Sequence, residues 1–207
     1  MKLLDIHSHK NQSSENVIVI SNQYPLTAQT DNYFSTGIHP WYSDNWEAQW
    51  EALLRIAKRP NCVAIGECGL DKNVSTDMDL QHIIFEKHIA LSETLQKPLI
   101  IHCVKAHNEL IVLKKKHQPT QDWILHGFNK NQNMANRLLQ HQIKLSFGKA
   151  LLSNIAVQEV FKSVPEGSYF LETDDADIDL RALYQKAKEL KNHIAISFPY
   201  LCVKIIL

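Results

Sequence analysis

The sequence predicts an α/β fold: a (β/α)8 TIM-type barrel that is shortened and lacks helices in its N-terminal part. Short runs rich in Val, Ile, Leu and Phe recur along the chain, and in its later part they alternate with stretches of apolar residues at helical spacing. Parallel strands that are buried on both faces have this composition, and helices that cover a sheet have this spacing. Eight such runs match the number of strands in a closed parallel barrel.

The eight predicted strands are separated by connections of unequal length. Only residues 10–16 join the first strand to the second, and residues 21–32 join the second to the third. A helical crossover takes about a dozen residues or more. We therefore expect helices to flank only the later strands. The predicted strands are residues 2–7, 17–21, 34–38, 62–67, 98–102, 122–126, 143–147 and 168–173.

Four amphipathic stretches are predicted to be helices that pack against the sheet. The first follows Asp44, a residue type that caps helices, and ends before Pro60. The spacing of its apolar residues, like that of the other three stretches, indicates packing against a core and carries no functional assignment. The stripes are Trp46, Trp50, Leu53, Leu54 and Ala57; Ile84, His88, Leu91 and Leu95; Leu110 and Leu113; and Leu180, Leu183, Tyr184, Ala187 and Leu190.

Composition predicts one domain over residues 1–207. A content of 44% hydrophobic and 21% charged residues is ordinary for a globular protein. The 22 basic and 22 acidic residues give a net charge of zero, so no global field attracts nucleic acid or a membrane. Any phosphate binding must therefore be local. Residues 193–207 form an atypical apolar end, which suggests an altered or truncated terminus.

Cysteine usage and hydropathy predict a cytoplasmic protein. The four cysteines form no Cys-x-x-Cys pair, and no secretory signal precedes the first strand. The longest apolar stretch is too short and too interrupted to span a bilayer. We expect no membrane association, and no feature indicates an obligate protein partner. The cysteines are Cys62, Cys68, Cys103 and Cys202.

Six potential metal ligands lie at the ends of predicted strands. His7 and His9 share one face of the first strand, because alternate residues of a strand point the same way. A single His at a strand end is more often a core or rim residue than a ligand. Several desolvated imidazoles and carboxylates at strand ends, however, are costly unless something pairs with them. The set therefore predicts a pair of metal ions. The other four ligands each follow an apolar run: Glu67, His102, His126 and Asp174.

The motifs that carry these ligands resemble those of the TatD family of metal-dependent deoxyribonucleases, within the amidohydrolase-like superfamily. The resemblance covers residues 3–175, and several motifs in one order are far more specific than any one of them. The resemblance implies a barrel whose site lies at the C-terminal ends of the strands. In order, the motifs are Asp5-Ile-His7-Ser-His9, Gly37-Ile-His39-Pro40-Trp41, Gly66-Glu67-Cys-Gly69-Leu70-Asp71, Pro98-Leu-Ile-Ile-His102-Cys103, His126-Gly-Phe128 and Glu172-Thr173-Asp174.

The resemblance implies a two-metal hydrolase that cleaves the phosphodiester bonds of DNA as a 3′-5′ exonuclease. Its substrate would be single-stranded DNA or the 3′ ends of DNA. Asp174 would take the proton of the attacking water, and Glu67 would bridge the ions. Mg²⁺ or Mn²⁺ is expected, and Zn²⁺ also suits an imidazole-rich site. Carried over by position, the ligands are His7, His9, Glu67 and Asp174 for one ion, and Glu67, His102 and His126 for the other.

The sequence departs from the family pattern at Val104, where the family often carries Arg. The loss of a two-pronged phosphate contact weakens the expectation of a nucleic-acid substrate. Lys105 and Lys149, with Lys130, are candidate replacements because each follows a strand on the side of the site, although a solvated lysine is the commoner role. His39 is a candidate for binding phosphate and equally a structural residue of its turn.

Two other functions stay open. A hydrolase of small phosphoesters or cyclic amides could use the same barrel, but cyclic-amide hydrolases commonly bridge their metals with a carboxylated Lys where this chain has Glu67. An inactive binding descendant would fit the short loops, but it has no need for six ligands. Among the remaining residues, Trp41 is a candidate substrate contact. Six histidines are expected at the surface or in packing: His82, His88, His107, His117, His141 and His193.

Overall fold

The computed structural model describes residues 2–10, 13–29 and 31–191, and the atypical segment 193–207 lies outside them. Within these residues the strands form one parallel sheet whose spatial order is the order of the chain. Each predicted run overlaps one strand, and β4 extends four residues beyond its predicted end. The strands are β1 (Leu3–Ser8), β2 (Val17–Gln23), β3 (Phe34–Thr36), β4 (Cys62–Asp71), β5 (Leu99–Val104), β6 (Trp123–Leu125), β7 (Ile143–Phe147) and β8 (Tyr169–Leu171).

Contacts between β1 and the residues after β8 close the sheet into a barrel. The backbone of Asp174 donates from its N to the His7 carbonyl and accepts from the His9 N, both at 3.0 Å. The buried carboxylate of Asp5 accepts hydrogen bonds from the N and Oγ1 of Thr173, at 2.9 and 2.6 Å. The predicted (β/α)8 TIM-type barrel is confirmed.

Helices flank the later strands, as expected from the connection lengths. Among the described residues no helix lies between β1 and β2 or between β2 and β3. The first helix begins after Asn45, so the cap predicted at Asp44 is wrong by one residue. The α-helices are α1 (Trp46–Ile56), α2 (Met78–Leu95), α3 (His107–His117), α4 (Gln132–Gln140), α5 (Ala150–Ser153), α6 (Ile155–Ser163) and α7 (Leu180–Lys191), and Pro40–Tyr42 form a 3-10 turn.

Three of these helices were not predicted. Helix α4 has apolar residues at helical spacing, Met134, Ala135, Leu138 and Leu139, but it is only nine residues long, and α5 is a single turn. Helix α6 buries Val157, Val160 and Phe161 at helical spacing. β-Branched and aromatic residues favour strands, so their presence hides that spacing. The four predicted helices are confirmed as α1, α2, α3 and α7.

Strand alternation divides the apolar residues into two cores. Ile100 belongs to a small cluster inside the barrel, together with Leu4, Ile20 and Phe170. Its chain neighbour Ile101 belongs to the larger cluster between the sheet and the helices. The barrel is therefore filled with side chains below the site, which lies at the C-terminal end of the strands.

His88 has the packing role that was predicted for it. Its ring is fully buried in α2, where Nδ1 donates to the Ile84 carbonyl at 2.7 Å and Nε2 accepts from the Ile38 N at 3.0 Å. Burial lowers its pKa to about 4, so the ring is neutral and joins the helix to the end of β3. His193 lies outside the described residues.

The described cysteines are buried free thiols, as expected for packing residues: Cys62, Cys68 and Cys103. Cys202 lies outside the described part of the chain. Among the residues that the structure describes, no helix is both long enough and apolar enough to cross a bilayer.

Two glycines of β4 allow its backbone to approach β5 closely. Gly66 and Gly69 have φ angles of +136° and +145°, which side chains other than glycine rarely adopt. A Cβ on Gly66 would lie 2.2 Å from the Ile100 carbonyl oxygen, and one on Gly69 would lie 2.0 Å from that of His102. The close approach brings β4 next to β5, where Gly69 lies opposite His102 in the strand register.

We predict that Gly69→Ala destabilises the fold by about 3 kcal/mol or more, because it adds a clash with backbone to an unfavourable φ. Gly167→Ala is the matched control, since Gly167 also has a positive φ, of +78°, but open space around its Cβ. That variant should lose only about 1 kcal/mol. Thermal or urea unfolding measures both, and equal losses would contradict the close-approach argument.

Candidate metal centre

The barrel brings all six predicted ligands together at the C-terminal ends of its strands. His7 and His102 lie near the ends of β1 and β5, and Glu67 lies within β4, four residues before its end. His9 and His126 directly follow β1 and β6, and Asp174 is the third residue after β8. The same end carries His39, which follows β3.

One carboxylate oxygen of Glu67 faces three imidazoles. Glu67 Oε1 lies 2.8 Å from His126 Nε2, 3.0 Å from His39 Nε2 and 3.0 Å from His102 Nδ1. The side chain of Glu67 is almost wholly buried. Its backbone N donates to Asn22 Oδ1 at 2.9 Å, which holds the end of β4 against β2.

The other oxygen of Glu67 faces the histidines of β1. Glu67 Oε2 lies 3.4 Å from His7 Nε2 and 3.7 Å from His9 Nε2. Asp174 Oδ1 lies on the same side, 3.5 Å from His7 Nε2 and 3.4 Å from His9 Nε2. Each oxygen of Glu67 therefore has its own set of neighbouring imidazoles.

The cluster holds its carboxylates ionised. Burial opposes ionisation of Glu67, but His126 and hydrogen bonds from surrounding rings outweigh it and hold the Glu67 pKa well below its usual value. Burial also opposes ionisation of Asp174, whose pKa His7 and His126 nevertheless lower.

Two of the buried imidazoles favour the protonated form in the metal-free protein. Burial and His126 disfavour charge on His7, yet Asp174 and Glu67 outweigh them and raise its pKa to about 9. Burial disfavours charge on His126 too, but Glu67 and Glu172 raise its pKa well above the ordinary value. Protons therefore balance the negative charge that a bound cation would balance instead.

The donors fit a divalent cation. Two groups of predicted ligands each offer atoms within 4.8 Å of one another: His7, His9 and Glu67; and His7, His126 and Asp174. The fully buried His7 has no hydrogen bond at either ring nitrogen, and an unpaired buried polar atom is costly. A cation beside His7 Nε2, Glu67 and Asp174 would remove that cost.

The structure gives His39 a different role from that of the predicted ligands. Its Nδ1 accepts a hydrogen bond from the Trp41 N at 3.0 Å. Burial lowers the His39 pKa, so the ring is neutral and its proton lies on Nε2. His39 thus donates to Glu67, and in this tautomer it has no free lone pair for a metal.

Two carboxylates missed as site residues stand behind the predicted ligands. Asp71 Oδ2 accepts hydrogen bonds from His102 Nε2 at 2.9 Å and from Trp41 Nε1 at 2.7 Å. Glu172 Oε1 accepts from the Gly127 N at 2.6 Å and lies 3.6 Å from His126 Nδ1. Carboxylates in this position orient imidazole ligands and set their tautomer.

The sequence does contain a signal for both carboxylates. Asp71 is four residues after Glu67, and Glu172 is two residues before Asp174, so period-two alternation places each on the face of a predicted ligand. Both stand in the quoted motifs, but alternation alone does not say which ring each would contact.

Two of the three candidate lysines line clefts that also contain predicted ligands. Lys149 is exposed and lines a cleft together with Glu172 and Asp174. Lys130 lines the adjoining cleft with His102 and His126. Lys105 is exposed directly after β5.

The fold is a parallel (β/α)8 barrel. The cluster is an imidazole-rich site of the metal-binding type at the C-terminal ends of the strands. The model of the TatD related DNase family matches residues 4–196 of this chain. The chain therefore belongs to the TatD family.

Named relatives agree with this membership. A protein of Buchnera aphidicola, described as an uncharacterized metal-dependent hydrolase, is 35% identical over 144 residues, 68% of this chain and 54% of that protein. The 3′-5′ ssDNA/RNA exonuclease TatD of Erwinia tasmaniensis is 30% identical over 168 residues, 78% of this chain and 63% of that one. A human 3′-5′ RNA nuclease is 32% identical over 67% of this chain and 19% of its own length. The chain thus spans less than two thirds of these relatives.

Solved structures share the fold. A TatD homologue from Escherichia coli superposes with a TM-score of 0.79 at 20% identity, covering 98% of this chain and 95% of that one. A TatD family hydrolase from Entamoeba histolytica gives a TM-score of 0.72 at 15% identity, covering 99% and 95%.

We predict that Asp71→Asn weakens binding of a divalent ion about 10- to 100-fold. Both oxygens of Asp71 accept hydrogen bonds, Oδ2 from His102 and Oδ1 from the Asn73 N at 2.8 Å, and an amide has only one accepting oxygen, so His102 would be misoriented. Calorimetric titration with Mn²⁺ measures the affinity. Asp122→Asn is the control, since Asp122 pairs with Lys144 at 2.8 Å away from the cluster. Equal affinity in the Asp71 variant and the control would contradict an orienting role.

We also predict that the metal-free protein loses stability as pH rises from about 6.5 to about 9. The folded-state pKa of His7 lies above its ordinary value, so its contribution is complete below 6.5 and is lost through about 9. His7→Asn should flatten the dependence of unfolding free energy on pH in this window, whereas His141→Asn, outside the cluster, should not. A slope unchanged in His7→Asn would refute the prediction.

Proposed function

We propose that this protein is a metal-dependent phosphodiesterase that hydrolyses single-stranded nucleic acid, DNA above all, from the 3′ end. The proposal rests on the position of the Glu67 carboxylate, whose two oxygens face separate sets of imidazoles. Such a carboxylate is suited to bridge two ions. Relatives in the same family are described as 3′-5′ nucleases of DNA or RNA.

In this proposal the predicted division of ligands holds. Glu67 Oε2, His7, His9 and Asp174 would hold one ion, and Glu67 Oε1, His102 and His126 would hold the other. The distances of these rings from the two oxygens support the division. Oxygen ligands suit Mg²⁺ and Mn²⁺, and the four imidazoles also suit Zn²⁺.

When bound, such ions lower the pKa of water and stabilise the charge that develops on a phosphodiester. The chain supplies the proton acceptor. Asp174 remains ionised at neutral pH because its pKa is lowered, and about a third of its side chain is exposed, so water reaches it. Asp174 accepts the proton of the attacking water, which increases the nucleophilicity of the water oxygen.

His39 supports the same step from the other side of Glu67. The Trp41 N donates to Nδ1 of His39, so the ring proton lies on Nε2 and points to Glu67 Oε1. A neutral donor in this position would hold the bridging carboxylate in place, and a contact of His39 with phosphate stays a prediction.

Local charge replaces the missing arginine in this proposal. The chain has zero net charge, and the position of the family Arg is Val104. Lys149 and Lys130 line the clefts beside Asp174 and His126, and Lys105 follows β5. These lysines bind phosphates of the strand as point charges rather than through bidentate hydrogen bonds.

We predict that Glu67→Gln abolishes metal-dependent cleavage while the protein stays folded, because a neutral amide cannot serve two cations. The measurement uses chelator-stripped protein, Mg²⁺, Mn²⁺ or Zn²⁺ added back, and single-stranded DNA labelled at its 3′ or its 5′ end. Glu159→Gln, at an exposed position of α6, is the matched control and should cleave normally.

The outcomes separate the parts of the proposal. Loss of the 3′ label first supports the stated polarity, and loss of the 5′ label first contradicts it. No cleavage with any metal, by folded protein, would reject nucleic acid and favour a small phosphoester, for which a cleft without an arginine fork is adequate.

A further inference from the structure

The rim of the site on the β2 and β3 side is aromatic. Trp41 and Tyr42 belong to the 3-10 turn after β3, and Tyr24 directly follows β2. The three side chains line one cleft together with Glu67 and Asp174. Trp41 is 56% exposed and Tyr42 is 51% exposed, whereas large aromatic side chains are mostly buried in a protein of this size.

These rings are held in place although they are exposed. The indole N–H of Trp41 donates to buried Asp71 at 2.7 Å. The ring of Tyr42 meets that of Tyr24 edge to face, with centroids 5.3 Å apart. Little side-chain conformational freedom would therefore be lost when a ligand stacks on these rings. This is the condition for a pre-organised binding surface.

The opposite rim is basic. Lys130 follows β6 and Lys149 follows β7. Because the strands run around the barrel in chain order, β6 and β7 lie across the barrel from β2 and β3. The cleft floor between the two rims contains Glu67 and Asp174. An extended strand could thus cross the site with a base on the aromatic side and its phosphates directed to the lysines.

We propose that Tyr24, Trp41 and Tyr42 form a nucleobase subsite that stacks one unpaired base next to the scissile phosphate. The inference rests on the proposed function and adds to it a preference for unpaired bases. Every base has a face that can stack on an aromatic ring, so the subsite accepts any sequence. A base inside a duplex is covered on both faces by its neighbours, so the subsite selects unpaired ends.

The test is equilibrium binding with the Mg²⁺-loaded protein. The probes are short 5′-fluorescein oligothymidylates with phosphorothioate linkages that resist cleavage, and fluorescence anisotropy reports their binding. One probe carries all its bases, and three others lack the base at one of the last three 3′ positions. We expect one abasic position to weaken binding to the unaltered protein about tenfold.

Tyr42→Ala should bind the complete probe about tenfold more weakly and should no longer distinguish it from that abasic probe. Tyr42→Phe keeps the stacking ring and should retain the discrimination between the complete probe and that abasic probe. Ile155→Ala removes an exposed apolar side chain of α6 and serves as the surface control. Trp41→Phe keeps a stacking ring but loses the bond to Asp71, so it should retain base discrimination while weakening metal binding.

Two results would overturn the subsite alone: equal binding of all four probes by a protein that still cleaves single strands, or base discrimination retained by Tyr42→Ala. A protein that neither binds nor cleaves any strand would overturn the proposed function, and with it this inference.

Discussion

The structure around the site depends on one buried carboxylate. An ionised Glu67 in the barrel interior is costly unless opposite charge or hydrogen-bond donors surround it. The closure of eight strands brings donors from β1, from β5 and from the ends of β3 and β6 to its two oxygens. The close approach of β4 to β5 at Gly66 and Gly69 makes this convergence possible.

A second layer of acid residues extends this arrangement outward. Asp71 accepts from His102, and Glu172 lies behind His126, so each ring stands between two carboxylates. Such a layer fixes which ring nitrogen is available to a cation. Asp71 also accepts a hydrogen bond from the Trp41 indole. The orientations of His102 and of this exposed indole therefore depend on the same buried carboxylate.

The two rims of the site differ because the connections around the barrel differ. The β2 and β3 side ends in a turn of exposed aromatic rings, whereas the β6 and β7 side presents lysines. A neutral protein can thus offer a strand both stacking and local positive charge without a global field. The arrangement agrees with a substrate that is held by its base as well as by its phosphates.

Sequence alone determined the strands and the predicted ligands. Apolar runs mark buried parallel strands, and polar residues at their ends must converge once the barrel closes, so His7, Glu67 and His126 could be singled out from the pattern. Helices α4 and α5 were missed because they are short, and α6 was missed because its β-branched and aromatic residues also favour a strand. Only the tertiary structure decided which nitrogen of His39 holds a proton, and which rings Asp71 and Glu172 support. These depend on distances between residues far apart in the chain, which local spacing does not encode.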